Sequence, residues 1–202
     1  MGNNNELLLE KEGRKYSEKW VKIITYIGIL AATGQIIPFC VSPKGDLRAI
    51  EDYSSFAELV SFIGDIVFTV IEVLLLLLIT RKMKIDRIEK PSSTLIYVLV
   101  GSSILSTFGE LLDLDDMIVG LVYFVMLWLV GWKFFFNQKT KMIGICMFLL
   151  PIGAIITALI ADPDNHNKWI AILTAFPYIS AAGFYLESCC RFLTGKDWEL
   201  EN

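Results

Sequence analysis

The chain of 202 residues contains a single histidine, His166, and this scarcity excludes several kinds of enzyme. Multi-histidine metal enzymes are excluded, and so are serine–histidine intramembrane hydrolases unless His166 folds inward from its loop. His166 lies in the turn sequence ADPDNHNK, where a solvated loop residue is expected. Beyond a weak site with Asp162 and Asp164, nothing in the sequence identifies a metal ligand set, so the question of a metal stays open.

Other absences remove further chemistries. No GxxxxGK[ST] loop occurs, which excludes nucleotide hydrolysis by that route. The sequence FIGD at 62–65 lacks the first glycine of GxGD and no YD follows on another span, which disfavours an intramembrane aspartyl protease. The four cysteines form no CxxC pair and no disulfide ladder. No motif predicts a cofactor, and the inventory favours a protein that is not an enzyme.

Long apolar runs dominate what is present. The chain is 54% hydrophobic, above the 45–50% that is usual for soluble domains, and six runs reach the roughly 20 residues needed to cross a bilayer. The sequence therefore predicts an all-α integral membrane protein, a six-helix bundle in the cell membrane, with lipid as its surroundings and no nucleic-acid partner. The predicted spans are Trp20–Cys40, Phe56–Thr80, Thr94–Leu112, Met117–Phe136, Met142–Ala161 and Trp169–Cys190.

The distribution of Lys and Arg predicts the orientation of these spans. Basic residues cluster at 11–19, 81–90, 139–141 and 191–196, on alternate connections, whereas the other connections hold only three. Because Lys and Arg favour the cytoplasmic side, both termini are predicted to be cytoplasmic. We expect an N-terminal segment over 1–19, without a secretory signal, a membrane domain over 20–190 and a cytoplasmic tail over 191–202.

Acidic residues recur along the second predicted span. Glu58, Asp65 and Glu72 are seven residues apart, so they share one helix face, and Ser61 and Thr69 fall on the same stripe. An ionised carboxylate at the bilayer centre costs roughly 2.5–3.5 kcal/mol, so such residues normally pair or line a wet cavity. The stripe is therefore expected to face the bundle interior.

One explanation of the acids is structural pairing. Lys22 or Lys133 would reach Glu72, while Asp65 would hydrogen-bond to Gln35 or to a serine of GSSILST on the third span. This hypothesis suits a non-catalytic accessory subunit, with a membrane-protein partner or a second copy of the chain.

The favoured hypothesis is a channel or transporter that moves a proton or small cation, alone or with a solute. Asp65 and Glu72 would bind the ion, and Ser61 and Thr69 would supply neutral oxygen atoms. A lipid-modifying intramembrane enzyme ranks third. An outer vestibule that recruits cations is predicted from four further acids, namely Glu58, Glu110, Asp113 and Asp116.

Three further patterns carry packing predictions. The aromatic runs VYFVMLWLVGWKFFF and GFYLES are expected to face lipid or the membrane interface. Glu187 is expected to pair with Arg191 one helical turn later. Glycines on the fourth and fifth spans are expected to allow close approach of helices, namely Gly120, Gly131, Gly144 and Gly153.

Overall fold

The computed structural model describes residues 18–40, 47–109, 112, 114, 116–160 and 168–195, without the side chains of 18, 35–40, 47–58, 116–117, 158, 168–172 and 174. Within these ranges the chain forms six α-helices and no strand, which confirms the predicted all-α class. The helices are α1 Glu18–Cys40, α2 Leu47–Ile85, α3 Ser93–Phe108, α4 Asp116–Phe135, α5 Lys141–Ile160 and α6 Lys168–Thr194.

Each predicted span overlaps one helix, but α3 ends four residues before the predicted Leu112 and α2 is longer than its apolar run. It contains 39 residues, or about 58 Å at 1.5 Å per residue, whereas a membrane core is about 30 Å thick. The extra turns use good helix formers such as Arg, Lys and Met. In the described part of the chain, two helical stretches are long and apolar enough to cross a membrane, Leu59–Ile85 and Ile118–Phe135.

The helices pack in a closed ring that follows chain order. Each helix contacts the next, α6 contacts α1, and α2 also contacts α6 across the ring. The core consists of apolar side chains from every helix, with Leu75 and Leu76 of α2 and Leu127 of α4 fully buried. The outer surface is also apolar, since Leu159 is 79% and Leu173 is 70% exposed.

Close packing of α4, α5 and α6 depends on glycine. A Cβ added at Gly144 would lie 2.5 Å from the backbone nitrogen of Phe135 and 2.6 Å from the carbonyl oxygen of Gly131. A Cβ at Gly153 would lie 2.8 Å from the carbonyl oxygen of Pro177. These contacts confirm the predicted close approaches. Gly120 is different, because no atom lies within 4 Å of its added Cβ.

A tight turn ends α2 and leads into α3. Arg87 adopts a left-handed backbone with φ of 55°, and the amide of Ile88 donates to the carbonyl of Met83 at 2.8 Å, a pattern typical of helix C-termini. Ser92 then caps α3, its hydroxyl oxygen accepting from the amide of Leu95 at 3.3 Å. This geometry holds the basic segment 81–90 against the first turn of α3.

The same end of α2 is attached to α6 by a buried lysine. Lys82 is 8% exposed, and its ammonium group donates to the carbonyl of Phe192 and, at 3.2 Å, to that of Leu193. Its Nζ also lies 5.0 Å from the centre of the Phe192 ring. Because these carbonyls belong to the last turn of α6, the lysine charge stabilises the negative end of that helix.

Candidate functional site

The polar stripe of α2 faces the centre of the ring. Ser61, Thr69 and Glu72 are buried, at 7%, 8% and 1% exposure, and Asp65 is half-buried. The leucines and valines on the other faces of α2 include exposed residues such as Leu59 and Val70. The seven-residue spacing therefore directs the polar groups inward, but their role as an ion path stays a prediction.

The carboxylate of Glu72 joins three helices. Ser103 of α3 donates its hydroxyl hydrogen to Oε2 at 2.7 Å, and Tyr123 of α4 donates its hydroxyl hydrogen to Oε1 at 2.7 Å. Tyr123 is 9% exposed and Ser103 is 3% exposed. Each carboxylate oxygen therefore has a neutral hydroxyl donor at the short distance expected when a carboxylate accepts an O–H hydrogen bond.

A neighbouring pair of threonines extends this network along α2 and α3. The hydroxyls of Thr69 and Thr107 are 2.5 Å apart. Thr107 donates its hydrogen to the carbonyl of Ser103 at 3.2 Å, so Thr69 is the donor of the short bond. The threonine pair therefore reaches the backbone carbonyl of Ser103, whose hydroxyl separately donates to Glu72.

The predicted pairing of Glu72 with a lysine is wrong. Among the described side chains, its hydrogen-bond partners are the hydroxyls of Ser103 and Tyr123, and no ion pair joins it to Lys22 or Lys133. Both lysines are exposed. The physical reason is rotation of the helices: the stripe of α2 points into the ring, whereas these lysines point out of it.

Tyrosines of α4 and α6 complete the surroundings of the acids. Tyr178 lies within electrostatic range of both Asp65 and Glu72, and Tyr185 lies within range of Glu72. Tyr185 is 1% exposed, and the thiol of Cys189, one helical turn later, lies beside its hydroxyl.

The prediction that the aromatic runs face lipid is wrong for two of these tyrosines. Tyr123 and Tyr185 turn into the ring, while Trp132 and Phe184 in the same runs are exposed. A phenolic hydroxyl in an apolar span needs a partner, and that requirement was the available sequence signal. This requirement predicts that a tyrosine hydroxyl in a span points into the bundle, but it does not predict which acid the hydroxyl contacts.

All four residues of the predicted outer vestibule lie outside the described side chains. Glu58 and Asp116 belong to α2 and α4 through their backbones alone, and Glu110 and Asp113 fall outside the described residues. Glu187, in contrast, accepts from Nε of Arg191 at 2.9 Å, which confirms the predicted local ion pair. These two side chains are 43% and 38% exposed, so they take no part in the site.

The arrangement supports proton binding more directly than metal binding. Glu72 supplies one carboxyl with both oxygens accessible to hydroxyl groups, and these groups satisfy it whether or not it carries a proton. In the described ranges, no three His, Cys, Asp or Glu side chains cluster as metal ligands. Comparison of the chain with protein-family models, with curated proteins and with solved structures gives no match, so the functional argument rests on this geometry.

Proposed function

We propose that the protein crosses the cell membrane six times, with both termini in the cytoplasm, and moves protons, alone or coupled to a small solute. Glu72 is the proton-binding group. The observation that carries this proposal is a buried carboxyl whose hydrogen-bond partners are neutral hydroxyls. Asp65, Thr69 and Ser61 lie on the same face of α2 and would extend the proton path toward the other end of this helix.

The membrane placement is supported by the outward-facing apolar surface. In the stretch Ile118–Phe135 only 22% of the residues are buried, whereas the central helix of a soluble protein would be mostly buried. Leu121, Val122 and Leu129 of this stretch are among the exposed residues. A surface of this kind is stable in lipid and would favour aggregation in water.

The position of Glu72 along α2 supports a proton-binding role. It lies eight residues before Thr80, where the apolar run of α2 ends, or about 12 Å, which is close to half of the roughly 30 Å membrane core. A charge there is costly unless it is compensated. The Ser103 and Tyr123 hydroxyls stabilise the ionised form, and a proton removes the charge altogether, so the site holds either state.

A proton fits the site better than a small metal cation. Calcium takes six to eight oxygen ligands and magnesium requires an octahedral set, whereas Glu72 has two hydroxyl neighbours that direct hydrogen atoms toward its carboxylate. Binding a cation would require both hydroxyls to rotate. Binding a proton requires only one of them to turn, so that it accepts the new carboxyl O–H hydrogen bond.

The test is proton flux in vesicles. Purified protein in proteoliposomes receives an inside-negative potential from potassium and valinomycin, and an enclosed pH-sensitive dye reports proton entry. We expect flux in the unmodified protein, and flux at the level of empty vesicles in Glu72→Gln. Glu187→Gln is the matched control because it removes an exposed helical carboxylate, and it should conduct normally.

Equal flux from Glu72→Gln and the unmodified protein would refute the proposal. Asp65→Asn is a second test. Because Asp65 is a half-buried acid on the same stripe, its replacement should reduce proton flux while the protein still folds. Sodium or potassium flux that persists in Glu72→Gln would place cation movement elsewhere in the protein.

A second candidate function is a non-catalytic accessory subunit, and the same contacts favour it. Glu72 links α2, α3 and α4 through two hydrogen bonds, as a purely structural group would. In that case neither the unmodified protein nor any variant conducts protons, and Glu72→Gln unfolds at a lower temperature than the unmodified protein. Co-purification of a membrane-protein partner would then identify the assembly.

A further inference from the structure

A groove at the opposite end of α2 from Ser61 contains unpaired positive charge. It has a volume of about 210 Å³ and lies between the end of α2 and the start of α3. We call it the linker groove. Its lining includes Arg81, Lys84, Lys90, Leu77, Ile96 and Tyr97.

The three basic side chains of the linker groove are uncompensated. Arg81, Lys84 and Lys90 are exposed, and within the described part of the chain none forms a salt bridge with a carboxylate. The segment 81–90 contains five basic residues against two acidic ones. Three cations therefore converge on one small concave surface, which attracts a compact anion.

The other walls of the linker groove combine apolar side chains with the polar residues Thr80 and Ser93. Leu77 is 45% and Tyr97 is 68% exposed, and both lie where the apolar part of α2 and α3 meets the charged linker. Tyrosine at such a boundary is typical of the headgroup region of a membrane. The volume is below the roughly 300–1,000 Å³ of pockets for drug-sized ligands, so the groove fits a headgroup whose acyl chains remain outside.

We infer that the linker groove binds the phosphate of an anionic phospholipid on the cytoplasmic face of the membrane. Arg81, Lys84 and Lys90 contact the phosphate, and Leu77 and Tyr97 contact the glycerol and upper acyl chains. Basic pockets beside membrane helices recognise headgroups through this combination of charge and apolar surface. The inference rests on the proposed membrane placement, but it is independent of proton movement at Glu72.

The test measures lipid retention by the full-length protein in detergent. Dioleoylphosphatidylglycerol or dioleoylphosphatidylcholine is titrated in, and native mass spectrometry counts bound lipids. The groove variant combines Arg81→Gln, Lys84→Gln and Lys90→Gln. The control variant removes equal charge at the α4–α5 end, where three lysines are also exposed, by Lys133→Gln, Lys139→Gln and Lys141→Gln.

We expect the unmodified protein and the control variant to retain phosphatidylglycerol in preference to phosphatidylcholine. The groove variant should lose affinity for phosphatidylglycerol by about fivefold per basic residue, or on the order of a hundredfold for three. If this variant does not fold, the double variant Lys84→Gln with Lys90→Gln should show roughly a 25-fold loss on the same basis.

Three results would overturn the inference. Equal losses in the groove and control variants would indicate diffuse surface attraction, and equal retention of both lipids would indicate apolar contact alone. Inorganic phosphate that binds the groove alone and displaces the lipid would assign the site to a soluble phosphate compound. Proton flux through Glu72 is measured separately, so its failure would leave lipid retention unchanged, and the reverse also holds.

Discussion

Removing the Tyr123 hydroxyl tests whether the Glu72 network contributes to folding. The substitution Tyr123→Phe keeps the ring and deletes the donor that lies 2.7 Å from Oε1. A hydrogen bond to a charged group contributes about 1.5–3 kcal/mol and one between neutral groups about 0.5–1.5 kcal/mol. Measured values inside membrane proteins average about 0.6 and reach about 1.7 kcal/mol. We therefore expect Tyr123→Phe to lower the free energy of unfolding by about 1–1.5 kcal/mol.

A double-mutant cycle assigns that loss to the contact with Glu72. In Glu72→Gln the amide group keeps one oxygen acceptor and directs N–H groups at the other hydroxyl, so the network is weakened but retained. Tyr123→Phe should then cost less than in the unmodified protein, with a coupling energy of about 0.5–1.5 kcal/mol. Ser103→Ala, which removes the donor to Oε2, should couple to Glu72 by a similar amount.

The assay is reversible unfolding in mixed detergent micelles, followed by circular dichroism. Tyr26→Phe is the matched control, because Tyr26 is 67% exposed and its hydroxyl should contribute less than about 0.5 kcal/mol. A Tyr123→Phe effect no larger than that of Tyr26→Phe, combined with additivity in the cycle, would refute the network as a stabilising feature.

Two further substitutions test the packing of the ring. Gly144→Ala should lower the free energy of unfolding by about 2 kcal/mol or more, because the added Cβ would lie 2.5 Å from the backbone nitrogen of Phe135. Gly101→Ala is its control in the same unfolding assay. No atom lies within 4 Å of the Cβ added there, so this substitution should be neutral or stabilising. Lys82→Met should lower the free energy of unfolding by about 2 kcal/mol and increase amide hydrogen exchange at the end of α6, because two carbonyls lose a charged donor. Lys84→Met, at an exposed position, is its control. Equal effects of the two substitutions would contradict the anchoring role of Lys82.

The helices were predictable because each needs only a long apolar run, and every such run in the sequence became a helix. The extension of α2 to Leu47 and Ile85 was not predicted, since hydropathy marks the apolar layer and ignores charged residues that continue a helix. The close approach at Gly144 followed from residue size alone. Gly120 shows the limit of that reasoning, because a small residue allows contact without requiring it.

The site was predictable in part for a related reason. The seven-residue repeat fixes the face of α2 that carries Asp65 and Glu72, which is a property of one helix. The partners of Glu72 depend on the rotation and order of other helices, and the sequence offered Lys22 or Lys133 for this role while assigning the serines of α3 to Asp65. The structure gives Ser103 to Glu72 instead, and Tyr123 was missed because its neighbours in sequence are apolar.

The two buried ionisable residues among the described side chains of α2 differ in how their charges are compensated. Lys82 and Glu72 are ten residues apart, or about 15 Å along the axis, so they do not neutralise each other. Lys82 directs its charge at the carbonyls that end α6, where the helix dipole is negative. Glu72 has two hydroxyls, which share hydrogen bonds but supply no positive charge. Since the described residues provide Glu72 with no cationic partner, a proton is the simplest agent that neutralises it, and the comparison of flux in Glu72→Gln and Glu187→Gln measures that step directly.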